Sequence, residues 1–292
     1  MSTRTNRVGR HLATSRGLKR TLATAQEYGC EAVQIFVSNP QGWAVPAPRP
    51  DAEAFAEGVR EAGISPVVAH AKYLINLASA DEERRERSVD ALARELVVAG
   101  ATGVDLVVVH AGSHGGEGEA KGMDRLASGL DRARERAARY AGPSGLIGEP
   151  VVENSVGAGT QLCFTLDALA EVSRRAGVRV CVDTAHAFVA GYDLSGREEA
   201  RSVAAEMLTK LGDALAMVHL NDARNGRGSH RDGHRKVGEG RIARESWPAL
   251  FAGLPDVPMI METPYAGPEA DAREVRFVKR LAGGLRLEHD GR

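Results

Sequence analysis

Six short apolar runs in succession close on a side chain that can bind a metal ion: His70, His110, Glu153, Asp183, His219 and Glu262. Alone, each has a plainer role. A histidine at the end of a strand is usually a hydrogen-bonded structural group, and an Asp or Glu there can cap the next helix. Six at the same end of successive runs instead describe a cage of imidazole and carboxylate donors, suited to zinc first and manganese second. Three more donors follow the sixth and seventh runs. His186 lies three residues after Asp183 in VDTAHAF, and Asp232 and His234 form a D-x-H pair whose side chains point the same way if that loop is extended. Nine donors exceed the four or so that one zinc takes. With a carboxylate bridging two ions and water completing the shells, they suit three. Ions clustered about 3.5–4 Å apart serve phosphoryl chemistry, where they generate hydroxide and stabilise a leaving oxygen.

The other histidines stand outside this set. His11 and His114 are near enough to the rim to support the donors, His230 is placed to reach a phosphate, and His289 sits in a polar tail. Cys30, Cys163 and Cys181 are scattered and odd in number, so they form neither a disulfide framework nor a CxxC knuckle.

The elements that must position these donors follow a repeated rhythm. The runs VGRHL (8–12), AVQIFV (32–37), PVVAH (66–70), DLVVVH (105–110), PVVEN (150–154), VRVCVD (178–183), LAMVHL (215–220) and VPMIME (257–262) read as strands. Helical patterns lie between them, at 88–99, 124–140, 165–176, 198–211 and 269–282, and Gly63, Gly100, Gly177 and Gly212 read as the residues just past helix ends. Continuous apolar strands alternating with helices imply a parallel sheet buried on both faces. Eight such units in 292 residues fit a closed (β/α)8 TIM barrel, where chemistry collects at the C-terminal ends of the strands. A doubly wound open sheet fits less well, because no GxGxxG turn follows the first strand. No low-complexity linker divides the chain, so a single domain over 1–292 is expected, with 1–6 and 284–292 as loose tails.

Composition is that of a soluble globular chain, with 43% hydrophobic and 26% charged residues. There is no apolar stretch of membrane-spanning length or of the secretory type, so the cytoplasm and no membrane contact are expected. The formal net charge of −1 argues mildly against nucleic acid. It hides a local excess: 221–244 carries seven Lys or Arg against three acids. Such a run is most often a solvated loop.

Several stretches carry a family resemblance: HAKYLINLAS, VVVHAGSH, VVENSVGAGTQL, VDTAHAFVAGYDL, MVHLNDA, HRDGHRKVGEG and MIMETP. In order and spacing they resemble the endonuclease IV family over 8–281. The resemblance implies a monomeric zinc enzyme of DNA base-excision repair, acting on double-stranded DNA with abasic sites or 3′-blocked ends. It implies three zinc ions, with manganese an alternative at one site. His70 and His110 would bind the first, Glu153 would bridge it to the second, Asp183, His219 and Glu262 would complete the second, and His186, Asp232 and His234 would hold the third. Hydroxide held between the ions would attack the phosphate 5′ to the abasic sugar, leaving a 3′-hydroxyl and a 5′-deoxyribose phosphate. Glu153 or Glu262 would orient or deprotonate the water.

For DNA, the resemblance places a wedge at Tyr73 and a second recognition loop at SNPQGW (38–43), with Asn39, Gln41 and Trp43. Gln41 and Gly42 stand where the best-known family version has arginine and glutamine. Arg227, Arg231 and Arg235 in the basic loop become phosphate contacts. Two other readings compete. A sugar isomerase on the same barrel explains Glu153, Asp183, His219 and Glu262 as a one-metal cage but leaves the other donors idle. A DNA-binding relative without turnover has no need of an intact donor set.

Overall fold

A computed structural model describes residues 6–283 of the chain. Eight parallel strands close into a barrel: β1 (Val8–His11), β2 (Ala32–Ile35), β3 (Val67–His70), β4 (Leu106–His110), β5 (Glu149–Glu153), β6 (Arg179–Asp183), β7 (Leu215–His219) and, after a small ribbon, β10 (Met259–Met261). The ribbon pairs β8 (Asp222–Ala223) with β9 (His234–Arg235) antiparallel, inside the basic loop. The TIM barrel read from the sequence is therefore the fold.

The helices α1 (Leu18–Tyr28), α2 (Ala52–Glu61), α3 (Glu82–Ala101), α4 (Glu119–Ala141), α5 (Leu166–Ala176), α6 (Thr184–Ala190), α7 (Arg197–Leu211), α8 (Ser246–Gly253) and α9 (Pro268–Ala282) pack outside. Local chemistry sets several of their ends. Asp81 accepts a hydrogen bond from Arg84 N at the start of α3, and Thr165 accepts one from Ala168 N at the start of α5. Gly177 ends α5 in the left-handed region, at φ 57°. Gly100 departs from expectation: it lies within α3, not past its end. A Cβ there would stand 2.5 Å from the Leu146 carbonyl carbon, so close backbone approach, not helix termination, requires glycine.

Strand periodicity divides the buried residues into two sets. One joins strands to helices and includes Val33, Val67, Val107, Val109, Val152, Val180, Val182, Val218 and Met259. The other is small and made of strand residues: Ala32, Val68, Leu106, Val108, Val151, Cys181, Ala216, Met217 and Ile260. These fill the barrel interior, as a packed (β/α)8 core requires. Two residues beyond an interior position, a strand returns to the same face.

Among the described residues, no helix is long and apolar enough to cross a membrane. Asn6, expected in a loose tail, is instead buried, its amide donating to the carbonyls of Leu254 and Val257. The rest of the expected tails, 1–5 and 284–292, lies outside the described residues, and His289 with them.

Candidate metal centre

The step of two along each strand places the donors. His70 follows Val68, His110 follows Val108, Glu153 follows Val151, Asp183 follows Cys181, His219 follows Met217 and Glu262 follows Ile260. Strand register sets neighbours side by side, with His110 opposite Glu153 and Asp183 opposite His219. The same parity carries Gln34 above Ala32 on β2 and ends β1 at His11. All eight strands thus contribute a polar side chain to one inward layer at the barrel mouth.

The donors fall into three overlapping groups: His70, His110 and Glu153; Glu153, Asp183, His219 and Glu262; and Asp183, His186 and His234. Glu153 belongs to two of them, the arrangement a bridging carboxylate requires. Its Oε2 lies 3.5 Å from His70 Nε2 and 3.2 Å from His110 Nε2. Its Oε1 lies 2.8 Å from His219 Nδ1. Asp232 Oδ1 stands 3.4 Å from His186 Nε2 and 3.6 Å from His234 Nε2, so the D-x-H pair does point one way. Asp183 combines both roles weighed for it. Oδ1 caps α6 through His186 N at 2.8 Å, while Oδ2 faces His234 Nε2 at 3.5 Å.

Hydrogen bonds on the far side of the rings fix their orientation. His70 Nδ1 donates to the Ala71 carbonyl at 2.7 Å, and His186 Nδ1 to the Asn154 carbonyl at 2.9 Å. Both rings therefore turn Nε2, the nitrogen left for a metal, toward carboxylates, as metal-binding histidines do. Two asparagines, one directly after Glu153 and one two residues after His219, orient donors further. Asn154 Oδ1 accepts from Asp183 N at 2.6 Å, and Asn221 bridges Asp183 Oδ2 (2.6 Å) and Glu262 N (2.7 Å). Both were visible as the final letters of VEN and HLN but carry no ligand chemistry of their own.

This donor set fits metal ions. Glu153 Oε2 and His234 Nε2 are buried without a hydrogen-bond partner among the described residues, a costly state unless a cation supplies the missing contact. The electrostatics agree. Burial pushes the Glu153 carboxyl up, but His219, His110 and His70 outweigh it and hold the group well below its ordinary range. Burial also opposes charge on His186, yet Asp183, Asp232 and Glu153 raise it to about 10. The His186 ring in turn lowers Asp232 to about 2. Glu262 is held near 2, burial being outweighed chiefly by His219. The carboxylates demand positive charge, and protonated rings take that place when ions do not.

A cavity of about 930 Å³ opens over this layer, reaching His70, His110, His186, Asp232, His234 and Glu262. A second of about 280 Å³ adjoins it on the side of Asn76 and Ser113. Tyr73 borders both, half exposed, its ring 5.3 Å from that of His70 and 6.0 Å from that of His110.

The residues expected to meet DNA fare unequally. Gln41 is exposed, and its backbone N donates to Asn39 Oδ1. Trp43 packs on the core with the Arg87 guanidinium 4.4 Å over its ring, which anchors the loop. Arg227 is paired with Asp193, whereas Arg231 and Arg235 are exposed with no side-chain partner among the described residues. His230 spends Nδ1 on the Val156 carbonyl, and His114 Nδ1 accepts from Gly116 N and Gly118 N in a turn.

Two buried residues missed in the sequence hold these loops. Lys72 donates to Ser38 Oγ and the Asn39 carbonyl beside Glu95, tying the 38–43 loop to the strand end that carries His70. Asp222 accepts from the backbone N of Gly238, Gly240 and Ile242, closing the base of the basic loop.

The chain resembles known proteins in sequence and in fold. The model of the xylose isomerase-like TIM barrel family matches residues 22–281. A probable endonuclease 4 from Haloarcula marismortui is 35% identical over 283 residues, spanning 95% of this chain and 99% of that protein. One from Cenarchaeum symbiosum is 37% identical, spanning 94% and 99%. The chain belongs to the endonuclease IV family. Its barrel superposes on the crystal structure of endonuclease IV from Thermus thermophilus with a TM-score of 0.82 at 33% identity, covering 96% of this chain and 100% of that one.

Proposed function

We propose that this chain is a zinc-dependent endonuclease of base-excision repair that hydrolyses the phosphodiester 5′ to an abasic site in duplex DNA. The products are a 3′-hydroxyl and a 5′-deoxyribose phosphate, and 3′-blocked ends are further substrates. The observation that carries this reading is the set of three donor groups overlapping at Glu153 and Asp183 beneath an open cavity. Relatives named probable endonuclease 4 support it along nearly the whole chain.

His70, His110 and Glu153 would hold one ion; Glu153, Asp183, His219 and Glu262 a second; His186, Asp232 and His234 a third, with zinc favoured by the donor types. When bound, such ions supply a nucleophile at neutral pH and neutralise charge on phosphoryl and leaving oxygens. The chain's own groups divide the remaining work. Glu153 is fully enclosed, with both oxygens turned to histidines, which suits it to bridge and not to move. Glu262 borders the large cavity, so it is the carboxylate placed to orient an attacking water or take its proton. Tyr73 walls the junction of the two cavities, where its ring packs against the sugar or the neighbouring base. Arg231 and Arg235 meet the phosphates flanking the site. All donors come from one chain, which suits action as a monomer.

A sugar isomerase would need only the group around Glu153, Asp183, His219 and Glu262. It gives no role to His70, His110, His186, Asp232 and His234, which the fold brings to the same rim. The test is a duplex with one tetrahydrofuran abasic analogue. Incision on its 5′ side, lost on prolonged chelation and restored by zinc, is the expected result. Intact DNA under the same conditions overturns the reading, and binding without incision would make the chain a non-catalytic relative.

A further inference from the structure

Two members of the inward layer, His11 and Gln34, belong to none of the donor groups, yet they complete the ring beside Glu262 and His219. Gln34 is fully buried. Its amide nitrogen lies 2.5 Å from Glu262 Oε1 and 3.1 Å from His11 Nδ1, and its amide oxygen lies 2.8 Å from His219 Nε2.

Hydrogen-bond capacity leaves one arrangement of protons. An amide oxygen only accepts, so His219 Nε2 must carry a hydrogen; an amide NH2 only donates, so His11 Nδ1 must be a bare acceptor. Burial lowers His11 to about 4, in keeping with a neutral ring. The opposite amide orientation fails, because it would set an oxygen 2.5 Å from Glu262 Oε1 with no proton between. With Nε2 protonated, Nδ1 is the nitrogen left for a metal, and it lies 2.8 Å from Glu153 Oε1 and 3.1 Å from Glu262 Oε2.

His219 thus differs from His70 and His186, whose outer nitrogens are held by backbone carbonyls and whose Nε2 atoms face the carboxylates. A backbone carbonyl survives any substitution; the partner of His219 does not. We propose that Gln34 is a positioning residue for the group Glu153, Asp183, His219 and Glu262. It fixes His219 as an Nδ1 ligand and holds Glu262 in place, and His11 Nδ1 accepts its second amide hydrogen. This inference rests on the metal-centre reading above and adds to it a residue outside the donor set.

The test loads wild-type protein and two variants, Gln34→Leu and Gln34→Glu, with zinc. It measures zinc retained against a competing chelator and the 15N shifts of the His219 ring. In the wild type, His219 should show a protonated Nε2 and a ligated Nδ1. Gln34→Leu should weaken one zinc by about 10- to 100-fold, the range for loss of an outer partner of a ligand. It should leave the other two ions unchanged and blur the single tautomer of His219. Gln34→Glu keeps an acceptor for Nε2 but opposes Glu262 with a second carboxylate, so it should preserve the tautomer and still lose affinity. That variant carries the test if Gln34→Leu fails to fold, and unfolding of the zinc-free proteins checks this.

Zinc affinity unchanged in either variant, or a wild-type His219 ligated through Nε2, overturns the role of Gln34 while leaving the metal centre intact. A wild type that binds no zinc overturns the metal-centre reading, and this inference with it.

Discussion

At the barrel mouth, His70, Glu153, Asp183 and His219 are all at most 3% exposed, while Tyr73, three residues beyond His70, is 53% exposed. The inward layer and the loops above it obey different rules. In the layer, strand parity and register place the side chains, and outer hydrogen bonds to Ala71, Asn154, Asn221 or Gln34 fix His70, His186, Asp183 and His219. In the loops, position depends on a few tethers: Lys72 on the 38–43 segment, Asp222 at the base of the basic loop, and Arg87 against Trp43. Chemistry that tolerates little displacement is built on rigid elements, and contacts that must adapt to DNA are carried by loops.

Substitutions can separate the two regions. Glu153→Gln should have the largest effect. It alters the carboxylate shared by two donor groups, so incision should fall by more than the about 100-fold typical of an outer partner, with circular dichroism unchanged. Activity near the wild-type rate would remove Glu153 from the centre.

Lys72→Met should come next. It leaves Glu95 buried without its cation, and breaking a buried pair costs about 3–5 kcal/mol. Denaturant unfolding should register that loss, and abasic duplex should bind more weakly as the 38–43 loop is released. Zinc content should not change; zinc lost together with the loop would mean the two regions are not separable.

Tyr73→Ala tests the wedge. The ring is half exposed, so stability should shift by no more than about 0.5 kcal/mol, whereas binding of abasic duplex should lose about 1–3 kcal/mol, the range for an aromatic stacked on a base. Equal affinity for the two proteins would reduce Tyr73 to a rim-packing residue.

The smallest effect should separate two arginines of one loop. Arg231→Ala should lower the slope of log affinity against log salt by about 0.9, one phosphate contact. Arg227→Ala should change it less, because Asp193 already pairs with that guanidinium. Equal slopes for both variants would mean that the ion pair opens on DNA.

Legibility follows the same division. The donors could be read from the chain because each ends a run whose apolar periodicity marks a strand, and parity does the rest: Val68 and His70, or Val151 and Glu153, share a face. Gln34 obeys that parity above Ala32 and escaped notice because glutamine is not a ligand type. The ribbon of β8 and β9, with two residues in each strand, is too short to show periodicity. The packing of Trp43 on Arg87 and the pairing of Arg227 with Asp193 join segments far apart in sequence. Local pattern does not encode such contacts, so the anchoring of Trp43 and the pairing of Arg227 could not be read from the chain.

The account stands on one number, the zinc content per chain of protein purified without added chelator, measured by elemental analysis against a protein concentration from amino-acid analysis. Close to three ions is the result this geometry predicts, one for each donor group. A single ion per chain would contradict it, leaving His70, His110, His186, Asp232 and His234 without a metal and returning the barrel to a one-metal sugar chemistry.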